Sequence, residues 1–237
     1  MPEPALTEPS SPERPHAILA VSTVIFTLRN DDTSGLKTLW LPLVRRTRDP
    51  HLSLWALPGG WLSPDEELAS AAARTLRETT DLSPRYLEQL YTFGDIDRSP
   101  DLRVVSVVYW ALVRSAVAER ASVGENVRWF AADQLPQLAF DHNRVVEYAL
   151  WRLRTKVEYA RIAHAFLGDT FTLAQLREVH EAVLQKALDP ANFRRSIEAS
   201  GTLISTDRHV AGARHRPARL YRYNDRAAEH DPPHHSL

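Results

Sequence analysis

The feature that most constrains this chain is a fixed spacing of Gly60, Glu66, Arg74, Leu76, Glu78 and Leu82, preceded by Leu57-Pro58-Gly59. Leu-Pro-Gly-Gly is a turn sequence, because proline removes a backbone donor and glycine opens conformations closed to other residues. The residues after it read as a helix from Asp65 to Thr79. Ser63 is positioned to cap it, and Pro64 falls at the first helical position, where a missing N–H costs nothing. Leu68, Ala72 and Leu76 recur every four residues and predict its buried side. Thr75, Glu78 and Thr79 also lie within one turn of each other, so they share a face.

Around that helix the chain reads mostly as strands. AILAVSTVIFTLR, KTLWLPLVRR, LEQLYTF, RVVSVVYWALV and NVRWF, all between His16 and Phe140, are short runs rich in β-branched and aromatic residues. The polar stretch from Asn30 to Gly35 predicts a hairpin between the first two. From Asn143 to Phe166 the period becomes helical, with Val146, Ala149, Leu150, Leu153, Val157, Ala160 and Phe166 on one side, which marks a junction between two units. Residues 1–15 hold five prolines and predict a disordered tail, as do residues 227–237. No window approaches the roughly 18 consecutive apolar residues of a membrane helix, and the N-terminus has no apolar signal core, so a cytoplasmic protein is expected. With no cysteine, thiolate metal sites, disulfides and a cysteine nucleophile are excluded.

Charge is unevenly spread. Between Pro190 and Arg226 eight arginines face only Glu198, Asp207 and Asp225, a local net of +5 in a chain whose total is −1. A basic segment on an acidic body points to a polyanion partner for that segment. Its order of elements agrees. Thr172 and Gln175 have the spacing of a capping box, and Leu173, Leu176, Val179 and Val183 form the buried side of the helix they open. Asp189-Pro190 starts a second helix, in which Phe193 and Ile197 face inward and Asn192, Arg194, Arg195 and Ser196 are left outward. Two strands follow, Gly201 to Thr206 and Arg219 to Tyr223, joined by a loop carrying Arg208, His209, Arg214, His215 and Arg216. Helix, helix, strand, basic loop, strand is a winged-helix order. The candidate DNA contacts are Thr172, Gln175, Asn192, Arg194, Arg195, Ser196, Arg208, Arg214, His215 and Arg216. His209 and His215 lack a clustered third ligand, so no metal is expected at the wing.

The Gly60 to Leu82 spacing resembles the Nudix box, whose pattern has Glu, Glu and Gly where this chain has Thr75, Thr79 and Asp81. The resemblance implies a fold that hydrolyses nucleoside-linked diphosphates with divalent metal, and it implies that Glu66 and Arg74 form a structural ion pair. Magnesium wants several hard oxygen ligands. The 75/78/79 face offers one carboxylate, Glu78, which would hold metal weakly, so no catalytic residue is assigned beyond the residual box positions Glu66, Arg74 and Glu78. No cofactor is required on this reading, although Mg²⁺ could arrive with a bound nucleotide. The candidate ligand contacts are Arg46, Gly59, Gly60, Arg77, Arg98, Asp101 and Arg103, arginine being suited to phosphate. Trp55, Trp61, Phe93 and Phe130 are candidates for stacking on a base.

Taken whole, residues 17–225 are similar to the Nudix-related transcriptional regulator (NrtR) family, through LAFDHNRVVEYALWRLRTK, FTLAQLREVHEAVL and LDPANFRRSIEASG. The resemblance implies an α+β chain. A Nudix α/β/α sandwich with a mixed sheet at residues 16–150 would sense the ligand, 151–170 would be a linker helix, and 171–226 a winged helix-turn-helix. It further implies a homodimeric repressor of NAD-metabolism genes that binds a palindromic operator and responds to ADP-ribose or a related nucleotide. The helix from Asn143, lying between the two units, is the natural transmitter. The alternative is an active ADP-ribose pyrophosphatase with an accessory winged helix, its missing carboxylates borrowed from Glu67 or Asp97.

Overall fold

The computed structural model describes residues 16–224 except 32–34, 82, 83, 85, 120–124, 160 and 211–216, so the two expected tails lie outside the described residues. In chain order the first unit contains β1 (Ile18–Asn30), β2 (Lys37–Arg45), β3 (Trp55–Ala56), β4 (Gly59–Trp61), α1 (Leu68–Thr80), β5 (Tyr86–Phe93), β6 (Val104–Leu112), α2 (Ser115–Ala118) and β7 (Val127–Ala131). Then α3 (His142–Tyr159) and a 3-10 segment (Arg161–Phe166) lead to α4 (Leu173–Leu184), α5 (Pro190–Ala199), β8 (Leu203–His209) and β9 (Arg219–Tyr223).

β1 organises the sheet. It runs parallel to β6 along Ile18 to Phe26, pairs antiparallel with β4 at Ala20 to Ser22, and pairs antiparallel with β2 at Thr27 to Asn30. The seven-stranded mixed sheet has the order β3-β2-β1-β6-β5, with β4 joined to β1 and β7 to β2. Side chains alternate across a strand. Val21 and Ile25 therefore pack with Ala71, Ala72 and Leu76 of α1, while Val24, Phe26 and Leu28 pack in the cluster that holds Val146, Ala149, Leu150 and Leu153 of α3. Helices on both faces give the α/β/α sandwich.

Three of the boundaries that differ from the sequence reading have a clear physical reason. α1 begins at Leu68 rather than Asp65, with Glu67 at the cap position and no side-chain cap bond. The Ser63 carbonyl accepts from Glu66 N at 3.2 Å in a turn, and the Glu66 carboxylate reaches over to Arg74, so residues 63–66 are held outside the helix. The α-helix expected to reach Phe166 ends at Tyr159. Ile162, Ala163, Ala165 and Phe166 are all buried, and the stretch is 3-10, in which residues three apart, 162 with 165 and 163 with 166, fall on the same side. The first wing strand starts at Leu203, because Gly201 at φ +66 turns the chain before it.

The second unit is a winged helix. Phe171 pairs with Tyr221 of β9 through N–H to carbonyl bonds of 3.0 and 2.8 Å, adding a short third strand beside β8 and β9. Its core is continuous with that of the sandwich. Phe171, Leu176, Val179 and Val183 belong to the same buried cluster as Phe26, Leu41 and Trp110, and Lys37 of β2 pairs with Glu178 of α4 at 2.8 Å. Among the described residues no helix is long and apolar enough to cross a membrane.

Candidate functional site

The loop from Leu57 to Gly60 crosses β1 very closely. A Cβ on Gly59 would lie 2.7 Å from the Val21 carbonyl oxygen and 2.8 Å from the Ser22 hydroxyl, so glycine there is a packing requirement. Beside the loop opens a cleft of about 380 Å³, within the range of small-ligand sites. Of the candidate ligand contacts, Arg46, Gly59, Gly60, Arg98 and Asp101 line it. Arg77 and Arg103 do not. Arg77 is exposed on α1, and Arg103 donates to the carbonyls of Asp95 and Val104, both at 3.3 Å. Of the four stacking candidates Trp61 borders the cleft, 55% exposed, whereas Trp55, Phe93 and Phe130 pack with the core.

The two cleft arginines are fixed before any ligand arrives. Arg46 lies 4.7 Å from the Phe140 ring centroid and donates to the Pro50 and Arg48 carbonyls at 2.8 and 3.3 Å. Burial lowers its pKa and Asp49 opposes that, leaving it cationic. Arg98 grips Asp141 with a two-point fork, Nη2 to Oδ1 at 2.8 Å and Nε to Oδ2 at 3.1 Å. The side chains are 6% and 15% exposed. Phe140 and His142, which also line the cleft, were not anticipated as site residues. No charge pattern marks them; they come from the turn entering α3.

The box helix carries little of a metal site. Glu66 and Arg74 form the anticipated ion pair, two bonds of 2.8 Å, which lowers the Glu66 pKa and raises that of Arg74. Glu78, exposed at 62%, turns to Arg74 at 3.2 Å. Thr75 is buried and donates to the Ala72 carbonyl at 3.0 Å. The one carboxylate of this face is engaged with an arginine and a hydroxyl points back into the helix, so these residues do not fit a divalent cation. Neither Glu67 nor Asp97, the candidate substitutes, lines the cleft. Among the described residues no three His, Asp or Glu side chains are grouped for metal binding.

His142 is buried, and its Nδ1 accepts from Leu57 N at 3.0 Å, so the neutral ring holds the glycine loop against α3. Burial lowers its pKa to about 4, and burial also lowers that of His180 on α4 to about 4. Between the unfolded value near 6.5 and about 4 the unfolded chain binds these protons and the folded chain does not. Stability is therefore complete above that window and is lost as pH falls through it, by on the order of 3 kcal/mol for His142 once pH approaches 4. Urea midpoints measured from pH 7 to 4.5 should fall steadily for the wild type and less steeply for His142→Gln. A flat profile would contradict this account.

The second candidate surface is on the winged helix. Thr172 is 8% exposed and accepts from Gln175 N at 3.1 Å, while Gln175 Oε1 accepts from Thr172 N at 2.9 Å. Their polar groups close the end of α4, where Gln175 is exposed and Thr172 is not. Asp189 caps α5 through Asn192 N at 2.8 Å. No residue of α5 is fully buried; Phe193 and Ile197 seat it, Phe193 against His180 with centroids 5.2 Å apart. Asn192, Arg194, Arg195 and Ser196 are exposed along its outer side, and Arg208 is exposed on β8. Arg214, His215 and Arg216 lie outside the described residues.

Two parts of the chain match family models. Residues 19–149 match the NUDIX domain and residues 163–223 match the NrtR DNA-binding winged helix domain. The chain is 34% identical over 215 residues to the ADPR responsive transcriptional repressor NtrR of Acinetobacter baylyi, covering 88% of this chain and 83% of that protein. It is similar to the crystal structure of Shewanella oneidensis NrtR, at 36% identity and a TM-score of 0.75, across 90% of this chain and 96% of that one. The same Shewanella protein complexed with a 27mer DNA matches with a TM-score of 0.72 at 36% identity, across 89% and 95% of the two chains.

Proposed function

Because the chain belongs to the NrtR family of Nudix-related transcriptional regulators, we propose that it is a DNA-binding repressor whose operator affinity is set by ADP-ribose in the Nudix cleft. The observation that carries this reading is the pairing, in one continuous core, of an arginine-lined cleft, with no three His, Asp or Glu grouped for metal among the described residues, and an arginine-bearing helix open to solvent. A cleft that binds a diphosphate without cutting it keeps its ligand long enough to report its concentration.

The DNA contacts follow from position. Asn192, Arg194, Arg195 and Ser196 enter the major groove from the N-terminal part of α5, and Arg208 of β8 reaches phosphates or the minor groove; Arg214, His215 and Arg216 are proposed as further contacts from their charge in the sequence alone. In the cleft, Arg46 and Arg98 hold the diphosphate, the Gly59-Gly60 backbone approaches it, and Trp61 stacks on a ring of the nucleotide. No resident cofactor is needed, and Mg²⁺, if present, comes with the ligand. The protein acts in the cytoplasm as a homodimer on a palindrome, the two α5 helices taking symmetric half-sites, and its targets are NAD-metabolism genes.

Selection of bound duplexes from a random library by the full chain should enrich a palindrome, and saturating ADP-ribose should abolish the enrichment. The same sequence enriched in both arms would remove the sensing role, and no enrichment in either would remove the DNA-binding role.

A further inference from the structure

Resting on that reading, the geometry points to the Arg98–Asp141 ion pair as the latch through which an anionic ligand in the cleft loosens the DNA-binding half.

α3 joins the two sites directly. Its first residue, His142, lines the cleft, and Asp141 precedes it with its carbonyl accepting from Val145 N at 3.1 Å. Farther along, Leu150 and Leu153 share a buried cluster with Leu176, Val179 and Val183 of α4, and Arg154 donates to the Val183 carbonyl at 3.2 Å. The placement of α3 therefore sets the placement of α4, on which α5 rests.

At the cleft end α3 is anchored by Leu57 N on His142, by Asn143 binding Leu138 N and the Pro136 carbonyl, and by the Arg98 fork on Asp141. The Arg98 anchor faces a competitor. A diphosphate favours fork-shaped cationic donors, and among the described residues the arginines lining the cleft are Arg46 and Arg98. Arg46 donates to the Pro50 and Arg48 carbonyls, whereas Arg98 already spends two N–H groups on a nearly dry carboxylate. A phosphate drawing on Arg98 sets a second anion against Asp141, and in that poorly hydrated space the two repel. Ligand binding and an anchored α3 thus oppose each other. This is the differential contact between two states that a ligand needs to shift an equilibrium. The neighbouring Arg144–Asp95 pair ties the same helix turn to the same loop, but it is exposed and off the cleft lining.

The test measures DNA dissociation constants of the full chain, on the duplex selected above, with and without saturating ADP-ribose; calorimetry reports the nucleotide affinity separately. The wild-type ratio should lie at about 5- to 150-fold, the usual span of allosteric coupling. Asp141→Asn removes the competing charge, so ADP-ribose should bind more tightly, DNA should bind more weakly without nucleotide, and the ratio should fall to within about threefold of one. Arg144→Ala should keep the wild-type ratio. A full ratio in Asp141→Asn, or an equal collapse in Arg144→Ala, would overturn the latch while leaving nucleotide sensing intact. A wild-type ratio of one would remove the sensing reading itself. If Asp141→Asn does not fold, Arg98→Lys keeps the charge and loses the fork; its ratio, read at saturating nucleotide, should also fall, and a full ratio there overturns the latch.

Discussion

Alanine at both Arg194 and Arg195 should weaken operator binding by roughly a hundredfold or more while changing folding stability by no more than about 0.5 kcal/mol. Both side chains are exposed on a helix whose seating depends on Phe193 and Ile197. Arg194 makes one bond of structural kind, to Glu198 at 2.9 Å, with 63% and 45% of the two side chains exposed; such i,i+4 surface pairs contribute about 0.3–0.5 kcal/mol. A base-reading arginine, by contrast, is worth about 1–3 kcal/mol of discrimination, and one on phosphate steepens the dependence on salt. On the proposed dimer, two such residues per half-site make the loss large. Gel shifts at two salt concentrations, alongside urea melts, separate the effects. Unchanged affinity would remove α5 as the recognition element, whereas Phe193→Ala should lose binding together with stability.

How much of this was legible in the sequence depends on whether a feature is local. The cap of α4 by Thr172 and Gln175 and the start of α5 at Asp189-Pro190 are bonds between neighbours, and both read correctly from a few letters. β1 was legible because it is a continuous apolar run rich in β-branched residues, buried on both faces from Val21 to Leu28. β3 and β4, of two and three residues, are too short to show any period; they exist because β2 and β1 present open edges. The start of α1 was misread because Ser63-Pro64 is a good local cap, and a contact eight residues away, Arg74 on Glu66, outweighs it. The cleft shows the same limit. Arg98 and Arg103 look alike in one loop, yet Arg98 borders the cleft because Asp141, 43 residues on, holds it there, while Arg103 turns to nearby carbonyls. Phe140 and His142 carry no signature of their own, since their role arises from where α3 begins relative to a loop far away in sequence.

Leu153→Ala should cost about 2–5 kcal/mol and lower the stability of both units together. Leu153 is 0% exposed at the middle of α3, inside the single cluster that joins Phe26 and Trp110 of the sandwich to Leu176 and Val183 of the winged helix. Deleting its branched end leaves a cavity that neither unit can close alone, because the helix is pinned on one side by the sheet and on the other by α4. A shared core also predicts one cooperative transition rather than two. The chain supplies a clean test, since its six tryptophans, at positions 40, 55, 61, 110, 129 and 151, all precede the winged helix. Tryptophan fluorescence therefore follows the sandwich and the helix leaving it, while far-ultraviolet circular dichroism follows the whole chain. In urea the two signals should coincide in the wild type and move together to a lower midpoint in Leu153→Ala. A fluorescence transition that stays put while the dichroism splits would mean that the units fold independently. α3 could not then carry a strain from cleft to DNA, because a transmitter has to be rigidly packed at both ends.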